Sequence, residues 1–329
     1  MVRFGVIGTN WITERFLDAA SKVQDFSLTA VYSRTEEKAR EFADKYDVKH
    51  TYTSLEEMAA SSEIDAVYIA SPNSLHAEQS ILMMEHGKHV LCEKPAASNA
   101  AELKLMVEVS QRNKVVLMEA LKSTLMPNFK AVQENLDKIG PVRRYFASYC
   151  QYSSRYDAYK EGTILNAFKP EFSNGALMDI GIYCIYPLVV LFGKPDEVKA
   201  QGVMLDSGVD GEGSMVLKYK EMDAVIMYSK ITDSQLPAEI QGENGNIVID
   251  KIHTPEKAEI RYRGGGSELI TREQKEASMY YEAEEFVALV KSGKLESATN
   301  TLSNSLAVME ILDSVRSQLG IVYPADKKA

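Results

Sequence analysis

Lys94 follows a short apolar run, Val90-Leu91-Cys92, and stands between Glu93 and Pro95. The run reads as a strand buried on both faces, as in the middle of a parallel sheet. A lysine just past such a strand lies at the carboxyl edge, where open α/β sheets bind ligands. Pro95 keeps the Lys94 backbone extended and bars a helix from starting there. A fixed cation at that edge can stabilise developing negative charge. Taken alone, the Glu-Lys pair reads equally well as a solvated loop.

Other polar residues fall at the ends of other predicted strands. Gly8-Thr9-Asn10-Trp11-Ile12-Thr13 joins the run at 2–7 to a helical pattern ending near Ala20. This strand, turn and helix stand where a dinucleotide fingerprint belongs. Gly8 fills its first glycine position, with Asn10 at the second and Thr13 at the third. Asn tolerates left-handed backbone, and a helix N-terminus here would hold a pyrophosphate. The next strand, 26–32, ends in Ser33-Arg34 with Lys38 one turn on. No acidic residue for a ribose diol stands there. Ser33, Arg34 and Lys38 therefore suit a 2′-phosphate, so NADP(H) is expected over NAD(H). The alternative is that Arg34 merely starts a solvated helix. After the strand at 65–70 come Ser71-Pro72-Asn73 and His76, with Ser74 placed to cap a helix through Glu85. Asn73 and His76 therefore lie at the carboxyl edge beside the first turn, as cofactor-side candidates, and His76 either meets ribose or substrate or is a surface helix residue. Further on, Asp179 and Tyr183 lie one turn apart on a largely apolar helix running to Phe192. Both are either satisfied packing residues or point into a cleft towards Lys94. The polar and aromatic segment with Tyr152, Arg155, Tyr156, Asn166 and Phe168 either binds substrate or only covers a sheet.

The elements that position these residues change character along the chain. Strands alternate with helices up to the strand at 115–118, which implies a parallel, doubly wound sheet. A helix from Pro127, a turn at Gly140-Pro141 and a long strand at 143–152 follow. Short β-type runs separated by Gly and Asp turns fill 200–263 and imply a mostly antiparallel sheet. Helices are expected at 275–291 and 302–317. The predicted fold is α/β: a Rossmann domain over 1–122, then an α+β domain over 123–329 for substrate and oligomerisation.

The 329 residues carry 37 Lys and Arg against 47 Asp and Glu, a net charge of −10, which disfavours a nucleic-acid partner. No membrane span is expected, and the N-terminus enters a strand with no room for a signal peptide. Three distant cysteines (Cys92, Cys150, Cys184) imply reduced thiols in a cytoplasmic protein. The five His have no metal-ligand spacing, so no catalytic metal is expected. An open sheet with one uncovered face calls for a partner.

The ordered landmarks resemble the glucose–fructose oxidoreductase/inositol dehydrogenase (Gfo/Idh/MocA) family. They are Gly8 to Ile12, Ser33-Arg34, Ser71-Pro72-Asn73 with His76, Gly87 through Glu93-Lys94-Pro95, and Gly175-Ala176-Leu177-Met178-Asp179-Ile180-Gly181-Ile182-Tyr183. The resemblance implies a bound nicotinamide cofactor, contacted by the Gly8 turn, Ser33, Arg34, Lys38, the 71–76 loop and Glu93-Lys94, and a catalytic Lys94. It also implies that the partner on the open sheet makes a homodimer or a dimer of dimers. Tyr183 stands where many members have His, as in the branch of glucose–fructose oxidoreductase and dimeric dihydrodiol dehydrogenase, which makes Tyr183 the acid/base. The family's usual glycine triplet is replaced by Ser173-Asn174-Gly175. The implied reaction is hydride transfer between nicotinamide and a carbinol carbon of a sugar, polyol or vicinal diol. Tyr183 and Lys94 both stay open as the immediate proton carrier, with Asp179 orienting either group or bonding a substrate hydroxyl. The alternatives are a non-catalytic NAD(P)-sensing regulator and an NAD-dependent glycosidase.

Overall fold

Short polar caps start most helices of the first half of the chain. Asn10 accepts the Ile12 and Thr13 N–H groups at 3.0 and 3.3 Å, and Asn99 accepts the Glu102 N–H at 2.9 Å. The Glu102 carboxylate in turn accepts the N–H of Ser98, the residue before the cap, at 2.9 Å. Each such cap contributes about 1 kcal/mol. The helix at His76–Glu85 differs from expectation. Its N-cap is Leu75, without a side-chain bond, because a 3-10 turn at Asn73–Leu75 intervenes and removes Ser74 from the capping position.

The computed structural model describes residues 1–327. They divide into two units: Met1–Lys122 with Lys275–Ser305, and Ser123–Gln274 with the chain from Leu306 on. The first unit is built on β1 (Val2–Ile7), β2 (Phe26–Tyr32), β3 (His50–Tyr52), β4 (Ala66–Ile69), β5 (His89–Glu93) and β6 (Leu117–Ala120). All pairs are parallel, in the order β3-β2-β1-β4-β5-β6. This is the dinucleotide-binding order, with its switch point between β1 and β4. Local periodicity assigned Lys275–Ser305 to the second domain. It packs in the first instead, with Phe286 buried 5.6 Å from the Phe4 ring and Lys291 ion-paired to Asp25. Burying one such Phe contributes roughly 1.5–3 kcal/mol.

The second unit contains β7 (Val142–Cys150), β8 (Glu197–Met204), β9 (Asp210–Lys218), β10 (Asp223–Ser229), β11 (Ala238–Gly242), β12 (Gly245–Ile249), β13 (Ala258–Tyr262) and β14 (Ser267–Leu269). Their order is β14-β13-β12-β11-β7-β10-β9-β8, antiparallel except for β7 with β10. One face is buried through Tyr145, Ala147, Ile226, Ile240 and Ile247, and Tyr145 donates to the Cys184 carbonyl at 3.0 Å. The other face sets Val216, Val225 and Phe146 side by side on neighbouring strands, with Val216 50% exposed.

One apolar stretch bears on the expectation of no membrane span. Pro170–Phe192 is long and apolar enough to cross a bilayer by length and composition, because short turns merge with the helix Ile182–Phe192. It carries Glu171 and Asp179, and 72% of its most apolar window is buried inside the protein. That pattern fits a core helix.

Candidate active-site residues

In the first unit the switch point is closely built. Gly8 has φ +105°, and a Cβ there would stand 2.7 Å from the Ala70 carbonyl oxygen, so only glycine fits between β1 and the end of β4. Asn10 is extended (φ −105°, ψ 176°) rather than left-handed. Its carboxamide turns inward, donating to the Ala70 carbonyl at 2.7 Å while capping the helix. Thr13, at the third fingerprint position, is buried and donates to the Gly8 carbonyl at 2.8 Å. The cradle fits a pyrophosphate: the helix Trp11–Ala20 points its N-terminus at the carboxyl edge, and first-turn N–H groups lack intrahelical partners. Asn10 takes two of those groups, which leaves Trp11 and the turn before it to meet an anion. Trp11 and Ile12 also line a cavity of about 570 Å³ with Arg15, Lys122 and Met279. Ser33 is buried at the end of β2, and Arg34 and Lys38 are exposed beside it.

His76 and Glu93 serve the scaffold of this edge. His76 is 1% exposed, and its ring nitrogens lie 2.9 Å from the Pro95 and Ser71 carbonyl oxygens. The ring thus sits between the 71–75 loop and the Lys94 loop, and as a neutral imidazole it donates to one of these two carbonyls. Burial outweighs the two carbonyls and lowers its pKa. Glu93 accepts the Tyr68 hydroxyl at 2.5 Å and the Lys94 N–H at 3.2 Å, and burial raises its pKa. Around it lie further buried groups that the sequence pattern did not mark. Glu119 accepts the Ala96 N–H at 2.9 Å, and burial pushes its carboxyl up to about 7. Glu282 is 1% exposed and raised well above the carboxylate range by burial, while burial lowers the Lys122 ammonium. Lys94 itself is half-buried, on a backbone clamped from both sides.

In the second unit a wide π turn, Leu177–Gly181, leads into the helix Ile182–Phe192. Gly175 has φ +142°, and a Cβ there would strike Asp210 Oδ1. Asp210 is fully buried and accepts the Leu177 N–H at 2.7 Å, which anchors the turn carrying Asp179. Burial pushes its carboxyl up to about 6. A folded-state pKa above the ordinary value stabilises the fold below about pH 4, and that stability is lost as pH rises through about 6. Asp210→Asn is therefore expected to flatten the fall in stability across that window, by at most ~3 kcal/mol. Denaturant melts between about pH 4 and 7 check this, and an unchanged slope would contradict it.

Asp179 does meet a cation within its own unit: it is ion-paired to Lys230, which is 4% exposed at the end of β10. The Tyr183 ring packs edge-on against Tyr149 at 5.8 Å and His253 at 6.4 Å, and those two rings stack at 3.9 Å. Phe168 corrects its expected role at the substrate surface. It is fully buried, because Tyr156 and Tyr159 pack on it at 5.9 and 5.4 Å and the Lys230 ammonium lies 5.6 Å above its ring. Tyr152 donates to Asp157 at 2.7 Å, Arg155 is exposed, and the Asn166 carbonyl accepts from Asn174 at 2.9 Å.

Two family patterns cover the chain in order. Residues 2–121 match the oxidoreductase family with an NAD-binding Rossmann fold, and residues 129–248 match the GFO/IDH/MocA C-terminal domain. The chain belongs to the GFO/IDH/MocA oxidoreductase family. It is 61% identical, over 99% of its length and all of the relative, to scyllo-inositol 2-dehydrogenase (NADP(+)) IolU of Bacillus subtilis. It is 30% identical, over 99% of both chains, to trans-1,2-dihydrobenzene-1,2-diol dehydrogenase of Danio rerio. Its fold matches levoglucosan dehydrogenase, solved with NADH and levoglucosan, with a TM-score of 0.87 at 19% identity over 97% of each chain.

Within this family framework, Lys230, Tyr149 and His253 are the neighbours of Asp179 and Tyr183 that sequence reasoning missed. Lys230 is 51 residues from Asp179. Its signal in the sequence is a lone charge at the end of an apolar strand, without the adjoining glutamate and proline that mark Lys94.

Proposed function

We propose that the protein is an NADP-dependent dehydrogenase that interconverts a ring hydroxyl of a polyol of the scyllo-inositol type and the corresponding ketone. The observation that carries this reading is the 61% identity, from end to end, with a relative named for that cofactor and that substrate. The end of β2 supports the cofactor choice, since Ser33-Arg34-Thr35 offers a cation and hydroxyls where an NAD site has a carboxylate. Bound NADP supplies the hydride chemistry.

The chain's own residues hold and move the remaining charge. Tyr183 takes the carbinol proton, and its ring is kept in place by Tyr149 and His253. Lys94 supplies a fixed positive charge at the carboxyl edge of the first sheet, which stabilises developing charge on the substrate oxygen. Asp179, as an ionised partner of Lys230, accepts hydrogen bonds and does not donate a proton. The test of the cofactor side is a fluorescence titration with NADPH and with NADH. NADPH is expected to bind more tightly, and Arg34→Ala to weaken NADPH by roughly tenfold or more while leaving NADH within about twofold. Equal weakening of both would remove the 2′-phosphate role.

The same reading includes self-association through the uncovered face of the second sheet, supported by the apolar row Val216, Val225 and Phe146. A monomer by sedimentation at micromolar concentration would count against it. It also places the protein in the cytoplasm, which the free thiols Cys92, Cys150 and Cys184 support and cell fractionation would check.

A further inference from the structure

We propose that Lys230 is a positioning residue for the reaction: it holds the Asp179 carboxylate so that Asp179 accepts a hydrogen bond from a substrate hydroxyl other than the one oxidised. This rests on the polyol dehydrogenase reading above.

Lys230 is fixed at every level. Its N–H donates to the Gly211 carbonyl at 2.9 Å, and its own carbonyl accepts the Ser153 N–H at 2.9 Å. Its side chain is 6% exposed, so its charge needs a partner. Phe168 carries the ammonium over its ring at 5.6 Å, and Tyr156 and Tyr159 pack on Phe168 at 5.9 and 5.4 Å. A cation over a desolvated ring gains further attraction. These three aromatics belong to the segment 151–170, which therefore packs on Lys230 through Phe168.

The partner carboxylate is not buried to the same degree. Asp179 is 35% exposed on its side chain, against 6% for Lys230. A pair built only for stability has little need of this asymmetry. One oxygen is engaged by a rigid, buried cation, and the group as a whole stays accessible. An ionised carboxylate has about four acceptor positions and no donor. It therefore selects ligands that present hydroxyl donors and disfavours anionic ones. The wide turn Leu177–Gly181, anchored by Asp210, sets the direction in which this acceptor faces.

The test compares wild type, Lys230→Met and Lys230→Arg, each saturated with NADP, on a polyol and on its monodeoxy analogues. Lys230→Met is expected to raise KM for the polyol by about ten- to a hundredfold, the range for losing a hydrogen bond to a charged group, with kcat within severalfold. Lys230→Arg is expected to recover most of that loss. In wild type, one deoxy analogue carries a comparable KM penalty. In Lys230→Met that penalty is expected to shrink severalfold, because the two changes remove the same contact. NADPH affinity stays unchanged in both variants, and thermal melts that match wild type show that the second unit is intact. Equal deoxy penalties in wild type and Lys230→Met, with wild-type turnover normal, would overturn this proposal alone. A wild-type enzyme that oxidises no polyol would overturn it together with the activity on which it rests.

Discussion

Tyr183→Phe is expected to lower kcat by roughly a hundredfold or more while leaving NADPH affinity unchanged. The substitution deletes one hydroxyl and keeps the ring that Tyr149 and His253 hold. The loss is therefore chemical and not a matter of packing. A tyrosine hydroxyl titrates near ~10 in water, too high for a base at neutral pH. Lys94→Met is expected to reduce kcat by a similar factor, because it removes the cation proposed to stabilise the developing alkoxide. The double variant is expected to lose little more than either single one, since residues that act as a unit are not additive. Single-turnover measurements with saturating NADP check both. Near-normal kcat in Tyr183→Phe would remove Tyr183 from the proton path and leave Lys94 as the carrier.

Gly8→Ala is expected to reduce nucleotide affinity by roughly a hundredfold. At φ +105° a side chain is already strained by about 1–2 kcal/mol. The new Cβ would also stand 2.7 Å from the Ala70 oxygen and 2.9 Å from its carbonyl carbon. Those are backbone atoms at the end of β4, which cannot swing aside as a side chain could. The β1 turn must move away from β4, and the crevice at the switch point loses its shape. Gly87→Ala is the matched control. It has φ +75° but nothing within 4 Å, so it is expected to cost about 1 kcal/mol of stability with normal NADPH binding. Fluorescence titration and thermal melts on both variants separate the two effects. Equal nucleotide affinity in Gly8→Ala and Gly87→Ala would show that the tight approach at Gly8 does not shape the cradle.

Local signals in the sequence determined much of this architecture. Alternating apolar strands and capped helices placed β1, β2, β4 and β5, and a charge followed by proline marked Lys94 at the carboxyl edge. The Asn99 cap acts over three residues, a distance that local sequence spans. What stayed hidden depends on distant partners. His76 looked like a free polar residue near a cofactor, until the Pro95 carbonyl, 19 residues away, occupied one of its nitrogens. Phe168 looked like a substrate-facing aromatic, and only tertiary packing buries it beneath Lys230. The return of Lys275–Ser305 to the first unit is likewise a long-range event that helical periodicity does not encode. The buried carboxyls Glu93, Glu119 and Glu282 come from three separate elements, so no local spacing brings them together.

The most direct measurement is steady-state turnover of the purified protein with NADP and, separately, NAD, across scyllo-inositol, other inositols, open-chain polyols and simple sugars. It follows the absorbance of the reduced nicotinamide. The expected result is saturable oxidation of a cyclic polyol with NADP, with kcat/KM at least about tenfold higher than with NAD. No oxidation of any polyol or sugar with either nucleotide, in protein that binds NADPH, would contradict the dehydrogenase assignment.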